Sequence, residues 1–271
     1  MPGYTPPRMA ASPALGRLPD HIMRFWRALD LCFGKVEPTW WGAVVTDPRF
    51  PEVWDVNYAR IDVADEDLSL EEIEIVLVPA LRDAGSRVEH VVSFHPEATA
   101  GVLDRLQARG HRRTHDLVME VDGDPPDDGL RRVEELSGDP GLWPSVEASL
   151  GLFGIDQQIV AQLAAIERDV LAPSGKRWFG IRDEDGIASV GAMMLLDEVA
   201  YIDNVATFER ARGRGFAGAV TTRIAREAMA AGATNTCLLA DPDDQAVVGL
   251  YERLGFRKVG MLASTRGPLP G

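Results

Sequence analysis

The chain has almost no cysteine: Cys32 and Cys237, far apart and each inside an apolar stretch, are the only two in 271 residues. That count excludes a disulfide framework and reads as two reduced, packed thiols in a reducing compartment. The first twenty residues lack any sustained apolar run and hold Pro2, Pro6, Pro7, Pro13 and Pro19. Neither a signal peptide nor a membrane anchor fits them, so residues 1–19 are expected to be a flexible arm on a cytoplasmic protein. Positive charge is also short, with 28 Lys+Arg against 42 Asp+Glu and a net charge of −14. This balance argues against nucleic acid or an anionic membrane as partner and suits a cationic or amine-bearing substrate. Metal ligation finds no support: His111 and His115 follow Gly110 without a companion cysteine or acidic cluster, and read as surface histidines.

Hydrophobic residues make up 45% of the chain, enough for two cores, and the length suits two domains. Proline, glycine and acid crowd together at 122–129, which reads as a linker between a domain at 20–121 and another at 130–271. In the first domain, periodicity predicts helices at 21–31, 70–84 and 97–108, and strands at 41–46, 53–61, 88–94 and 117–121. In the second it predicts helices at 142–152 and 155–171, then a three-strand meander over 177–182, 187–196 and 199–206. A helix running to Gly232, a buried strand at 236–240, a helix capped by Asp243 or Asp244, and final strands from Phe256 complete an α+β pattern. Trp26, Trp40, Trp41 and Trp54 concentrate indole in the first half and read mainly as core.

The densest chemical information lies in Arg210-Ala211-Arg212-Gly213-Arg214-Gly215, between an apolar strand and an amphipathic helix. Alternating glycines let successive backbone N–H groups face one concave space, and the N-terminus of the next helix adds partial positive charge. A phosphate-bearing ligand suits such a site. Gly213 to Gly218 also match a dinucleotide fingerprint, but seven residues separate Val205 from Gly213 and too little chain follows for a doubly wound sheet.

Two short stretches echo between the halves: 54–59 with 201–206, and 106–112 with 251–257. In the second echo Tyr251 has Leu106 as its counterpart, and the arginine-glycine loop has only the acidic Ala64-Asp65-Glu66-Asp67-Leu68. The first copy would repel phosphate.

The meander, the Arg-x-x-Gly-x-Gly loop and the Leu250-Tyr251-Glu252-Arg253-Leu254-Gly255-Phe256 helix about forty residues later resemble the GNAT-type N-acetyltransferases. The whole chain looks like a tandem GNAT protein with a degenerate N-terminal copy and a complete C-terminal one: two GNAT-like domains, each a mixed, mostly antiparallel sheet flanked by helices. The resemblance implies acetyl-CoA as acyl donor, its pyrophosphate on the amides of Ala211, Arg212, Gly213, Arg214, Gly215 and Phe216, with Arg210 bracing the loop. It further implies that the strand at Asp203-Asn204-Val205 splays from Leu238-Leu239-Ala240, so that Asn204, Val205 and Leu239 meet the pantetheine arm, and that an N–H near Val205 holds the thioester oxygen. Tyr251 is the family's general acid toward the departing thiolate. The family often has asparagine where this chain has Asp244, which can accept but not donate a hydrogen bond. No motif fixes a general base. Strand alternation puts Asp203 on one face with Tyr201 and Val205 and makes it the candidate, with Glu198 as competitor. The function expected is acetyl transfer to a primary amine of a small molecule by direct attack; the alternatives are an acyl-CoA sensor or scaffold, and a protein amine as acceptor.

Overall fold

The last strand of each half crosses into the other. The computed structural model of the chain describes residues 18–121, 123 and 133–270, so nearly all of the expected arm and linker, and residues 130–132, lie outside the described residues. The first half runs α1 (Asp20–Asp30), β1 (Lys35–Pro38), β2 (Gly42–Thr46), β3 (Tyr58–Ile61), α2 (Leu70–Asp83), β4 (Val88–Ser93), α3 (Ala100–Ala108) and β5 (Arg112–Val121). The second runs β6 (Val133–Glu135), α4 (Leu142–Gly151), α5 (Gln157–Ile166), β7 (Arg177–Asp183), β8 (Gly186–Leu196), β9 (Val199–Thr207), α6 (Phe216–Ala230), β10 (Asn235–Ala240), α7 (Gln245–Arg253) and β11 (Arg257–Pro268).

These strands form one 11-stranded sheet in the order β1-β2-β3-β4-β11-β5-β10-β9-β8-β7-β6. Read inward from β2 or from β8, the sequence of roles is the same: β3 pairs parallel with β4 as β9 does with β10. Beyond those pairs, β11 fills the place after β4 and β5 the place after β10, each pairing antiparallel. The chain is α+β as expected, and its two similarly built halves share a continuous sheet through exchanged strands. Neither half closes its own ladder, because on the side of β4 away from β3, and of β10 away from β9, the N–H and C=O groups find partners only on the strand the other half supplies.

Helices α2, α3, α6 and α7 cover one face. Leu77, Val91 and Leu106 belong to a core under α2 and α3, and Ile202, Val220, Leu238 and Tyr251 to one under α6 and α7. The other face carries α1, α4 and α5. Ile22, Met23 and Phe25 of α1 pack over Val118, Cys237 and Leu262 of the central strands. Residues of α5 such as Ile166 meet Phe50, Val53 and Val56 of the first half, which closes a roof over the sheet.

Local chemistry explains where the elements depart from periodicity. The strand expected at 53–61 starts only at Tyr58, because the buried Asn57 amide donates to the carbonyls of Phe50 and Val53 while its oxygen accepts the Asp47 N–H, pinning a 3-10 turn over Trp54–Val56. The helix expected to reach 171 ends at Ile166 and continues as one π turn, Glu167–Leu171. One long strand, β11, replaces the expected final strands, while the short edge strands β1 and β6 had no alternation to announce them. Nor is His111 a surface histidine: it is buried 3.0 Å from Glu89, in a space that exists because a Cβ at Gly267 would come within 2.5 Å of the ring. Of the tryptophans, Trp41 is core, Trp40 is exposed, and Trp26 and Trp54 line a cavity.

Candidate active site

The anion-binding candidate begins after β9, where a 3-10 turn at Glu209–Ala211 leads into Gly213 (φ 75°) and Gly215 (φ 76°) at the mouth of α6. Both glycines sit in the left-handed region that a side chain makes costly. The N–H of Ala211 is already bonded to the Phe208 carbonyl at 2.8 Å and that of Arg212 to Glu209 at 3.3 Å. Ala211 is fully buried besides. The amides free to face an anion therefore run from Gly213 through the first turn of α6 to Gly218, two residues later than the family pattern placed them, since the first helical N–H groups have no partner one turn back. Arg210 turns inward: it donates to the Ile187 carbonyl at 2.8 Å, pairs with Asp183 and stacks on Phe208. Arg212 and Arg214 remain at the rim, Arg214 over the Phe216 ring at 4.5 Å.

The equivalent point in the first half is closed. Ser69 and Glu72 form a capping box at the start of α2, so a carboxylate and a hydroxyl already satisfy the N–H groups an anion would need.

Beside the loop, β9 and β10 part company. Their parallel pairing runs from Val199 with Asn235 to Ile202 with Leu238 and stops there. Against β8, three steps of β9 from Asp203 to Ala206 oppose two from Val190 to Ala192, a bulge in which Asn204 takes φ 51°. The bulge overturns the expected alternation: Asp203 lines a cavity on the α5 face, whereas Val205 packs into the α6 core. Asn204 also faces the cavity, its amide donating to Glu167 Oε1 at 2.9 Å. Glu198 is not a competitor for Asp203. It sits in the tight turn at the other end of β9, about 17 Å away at the rise of a strand.

That cavity, about 530 Å³, lies between the halves, with Trp26, Trp54 and Phe94 from the first facing Tyr201, Asp203 and Leu239 from the second. Leu239 stands just past the end of the β9–β10 pairing, so the gap between these strands opens into it. At this end Lys176 is buried, its ammonium donating to Asp203 Oδ2 at 2.7 Å and to Glu167 Oε1 at 2.8 Å. Burial pushes the Asp203 carboxyl up to about 6; Lys176 opposes the rise and Glu167 adds to it. Asp203 Oδ1 has no hydrogen-bond partner among the described residues. Sequence reasoning named Asp203 as a candidate and did not name Lys176 or Glu167, which the fold brings to it. Glu167 opens the π turn, a distortion that often accompanies functional sites, and only the fold brings it to β9.

Tyr251 lies on the other side of the sheet, mostly buried between α6 and α7 with its ring 5.9 Å from Phe256. Burial, and secondarily the charge of Asp244, push its phenol up to about 12. Asp244 itself is the N-cap of α7 and accepts the Val247 N–H at 3.0 Å, which accounts for this residue without a ligand.

Residues 178–265 match a family model described as FR47-like protein. No curated protein matches the sequence. Among solved structures, the chain resembles a conserved protein of unknown function from Staphylococcus epidermidis (12% identity, 84% of this chain and 91% of that one, TM-score 0.66). It also resembles a GCN5-related N-acetyltransferase from Kribbella flavida (18% identity, 92% of this chain and 95% of that one, TM-score 0.54). A third is a tandem GNAT protein from the clavulanic acid biosynthesis pathway (11% identity, 74% of this chain and 70% of that one, TM-score 0.53).

Proposed function

We propose that this chain, which has the GNAT fold in tandem, is an N-acetyltransferase whose second half carries an acetyl group from acetyl-CoA to a primary amine held between the halves. The observation that carries the reading is the continuity of three features: open amides at Gly213 to Gly218, unpaired strand edges beyond Ile202 and Leu238, and the cavity into which that gap opens. An elongated thioester with an anionic tail fits this order. Its pyrophosphate takes the loop amides with Arg212 and Arg214 at the rim, and its pantetheine arm pairs with the free edges of Asn204, Val205 and Leu239 as an added strand would.

Chemistry then follows at the gap. The amine reaches the thioester carbon from the cavity side, a C–N bond forms, and the carbonyl oxygen takes negative charge that an N–H of the bulge near Val205 stabilises. Asp203 accepts the ammonium proton, directly or through water, with Lys176 and Asn204–Glu167 fixing its position. As the C–S bond breaks, Tyr251 donates its proton to the thiolate; a phenol at about 12 stays protonated throughout the neutral range. In the first half the helix equivalent to α6, α2, has its start closed by its own capping box, and Leu106 stands where a tyrosine would be needed, so the part of this half is to wall the acceptor cavity. A cavity of about 530 Å³ walled by both halves suits a small acceptor better than a folded protein's lysine.

Incubating the protein with acetyl-CoA and a panel of primary amines should release free thiol in proportion to the amine consumed. Tight binding of acetyl-CoA without thiol release from any amine would instead favour the sensor or scaffold role.

A further inference from the structure

The floor of the cavity away from Asp203 is built in rows across β4, β11 and β5. Thr114 lies opposite Ser264, their hydroxyls 2.9 Å apart, and Asp116 lies opposite Leu262. In the outermost row Arg266 on β11 lies directly opposite Arg112 on β5, with His90 of β4 on its other side. All of these side chains line the cavity.

Two arginines facing each other on neighbouring strands repel, and a sheet does not place them so without compensation. Little is present among the described residues: neither guanidinium has a hydrogen bond or an ion pair there, and the Asp55 carboxylate, which shares the cavity, attracts Arg266 only through space. His90 brings no negative charge, since an imidazole is neutral or cationic, and its Nδ1 is hydrogen-bonded to the Trp54 carbonyl at 3.0 Å. The Arg266 guanidinium carbon stacks over the Trp54 indole, 3.6 Å from the ring centroid. That stack fixes the guanidinium plane and leaves its edge N–H groups free for a bidentate anion. The donor's loop cannot supply the anion, because it opens α6 on the opposite face of the sheet.

We propose that Arg112 and Arg266 form an anion subsite for the acceptor, so that the substrate carries a carboxylate or phosphate at one end, the reactive amine at the other, and an apolar middle. The amine end rests on the transferase reading; the anion end does not. Six residues of strand separate Arg112 from Val118, the position level with the β9–β10 gap, or about 20 Å. Arginine side chains shorten that path, and a chain of a few residues at about 3.4 Å each spans what is left. Trp26, whose ring meets those of Phe94 and Tyr201, forms with them the apolar wall between the two ends.

The probes are the peptide Gly-Phe-Gly with a free C-terminal carboxylate, the same peptide as its C-terminal amide, and an analogue ending in aminomethylphosphonate. Each is titrated calorimetrically into the full chain and offered with acetyl-CoA in a thiol-release assay. The anionic peptides should be favoured over the amide by about 10- to 100-fold in both readouts. Whether carboxylate or phosphonate leads identifies the natural anion. Arg266→Met and, at the exposed position, Arg112→Met should each bring the ratio close to one by weakening the anionic peptides. Equal titrations for anionic and amide peptides, including none for either, overturn the subsite, whatever thiol is released. An arginine-dependent anion preference in the titration without thiol release leaves the subsite standing and removes the transferase reading.

Discussion

Replacing Tyr251 by phenylalanine should lower kcat by about 100- to 10,000-fold while leaving the KM for acetyl-CoA within a small factor of wild type, because loss of a general acid acts on the leaving group and not on donor binding. The substitution removes one oxygen from a ring that packs against Phe256, so the helix face it fills stays filled. Stability should hardly change. The phenol's upward displacement to about 12 sets the pH signature: wild-type activity should show no loss between pH 8 and 10 attributable to Tyr251, since the group remains protonated there. Steady-state rates at saturating acetyl-CoA, with a melting curve for each protein, decide the matter. An unchanged kcat removes Tyr251 from the mechanism.

Asp203→Asn should have an effect of the same order for a different reason. The proton acceptor is lost, yet Lys176 keeps Glu167 as a partner at 2.8 Å, so the fold is not left with an unpaired buried cation. In the wild type the acid limb of the rate profile should fall near pH 6, since a base works only when ionised and burial pushes Asp203 to about 6. Below that pH the rate drops about tenfold per unit. Lys176 favours the ionised form, so Lys176→Met should move the limb to higher pH, and Asp203→Asn should flatten it. The lysine variant should also lose about 3–5 kcal/mol of stability, because two carboxylates would be left in a buried site without their cation. A pH profile that ignores both substitutions assigns the base elsewhere.

The sequence carried the order of elements in the second half because those elements are local. Gly213 and Gly215 stand where the chain needs positive φ, Asp244 stands where a helix needs a cap, and Gly186 sits at the hairpin between β7 and β8. Three things were not legible, each for a physical reason. Alternation marks a strand but not its partner, so nothing in 112–121 or 257–268 announced that these strands change places. Alternation also assumes an unbroken pleat, and the bulge at Asn204 turned Val205 to the face opposite Asp203. Finally, the Lys176–Asp203–Glu167 cluster joins a loop, a strand and a π turn, residues that only tertiary packing brings within hydrogen-bond distance.

Everything proposed for the second half depends on its loop holding the donor, and calorimetric titration of acetyl-CoA into wild type and into the Gly213→Val/Gly215→Val variant tests that most directly. A Cβ at either position meets no protein atom within 4 Å, so lost binding would arise at the loop itself: each valine forced to positive φ costs about 1–3 kcal/mol and drives the loop out of shape, and its side chain stands where the phosphate approaches. The account predicts saturable heat for the wild type and affinity weaker by about 100-fold or more in the variant, whose melting temperature should fall by several degrees yet stay above the titration temperature. No heat in the wild type, or equal affinity in both proteins, would contradict it.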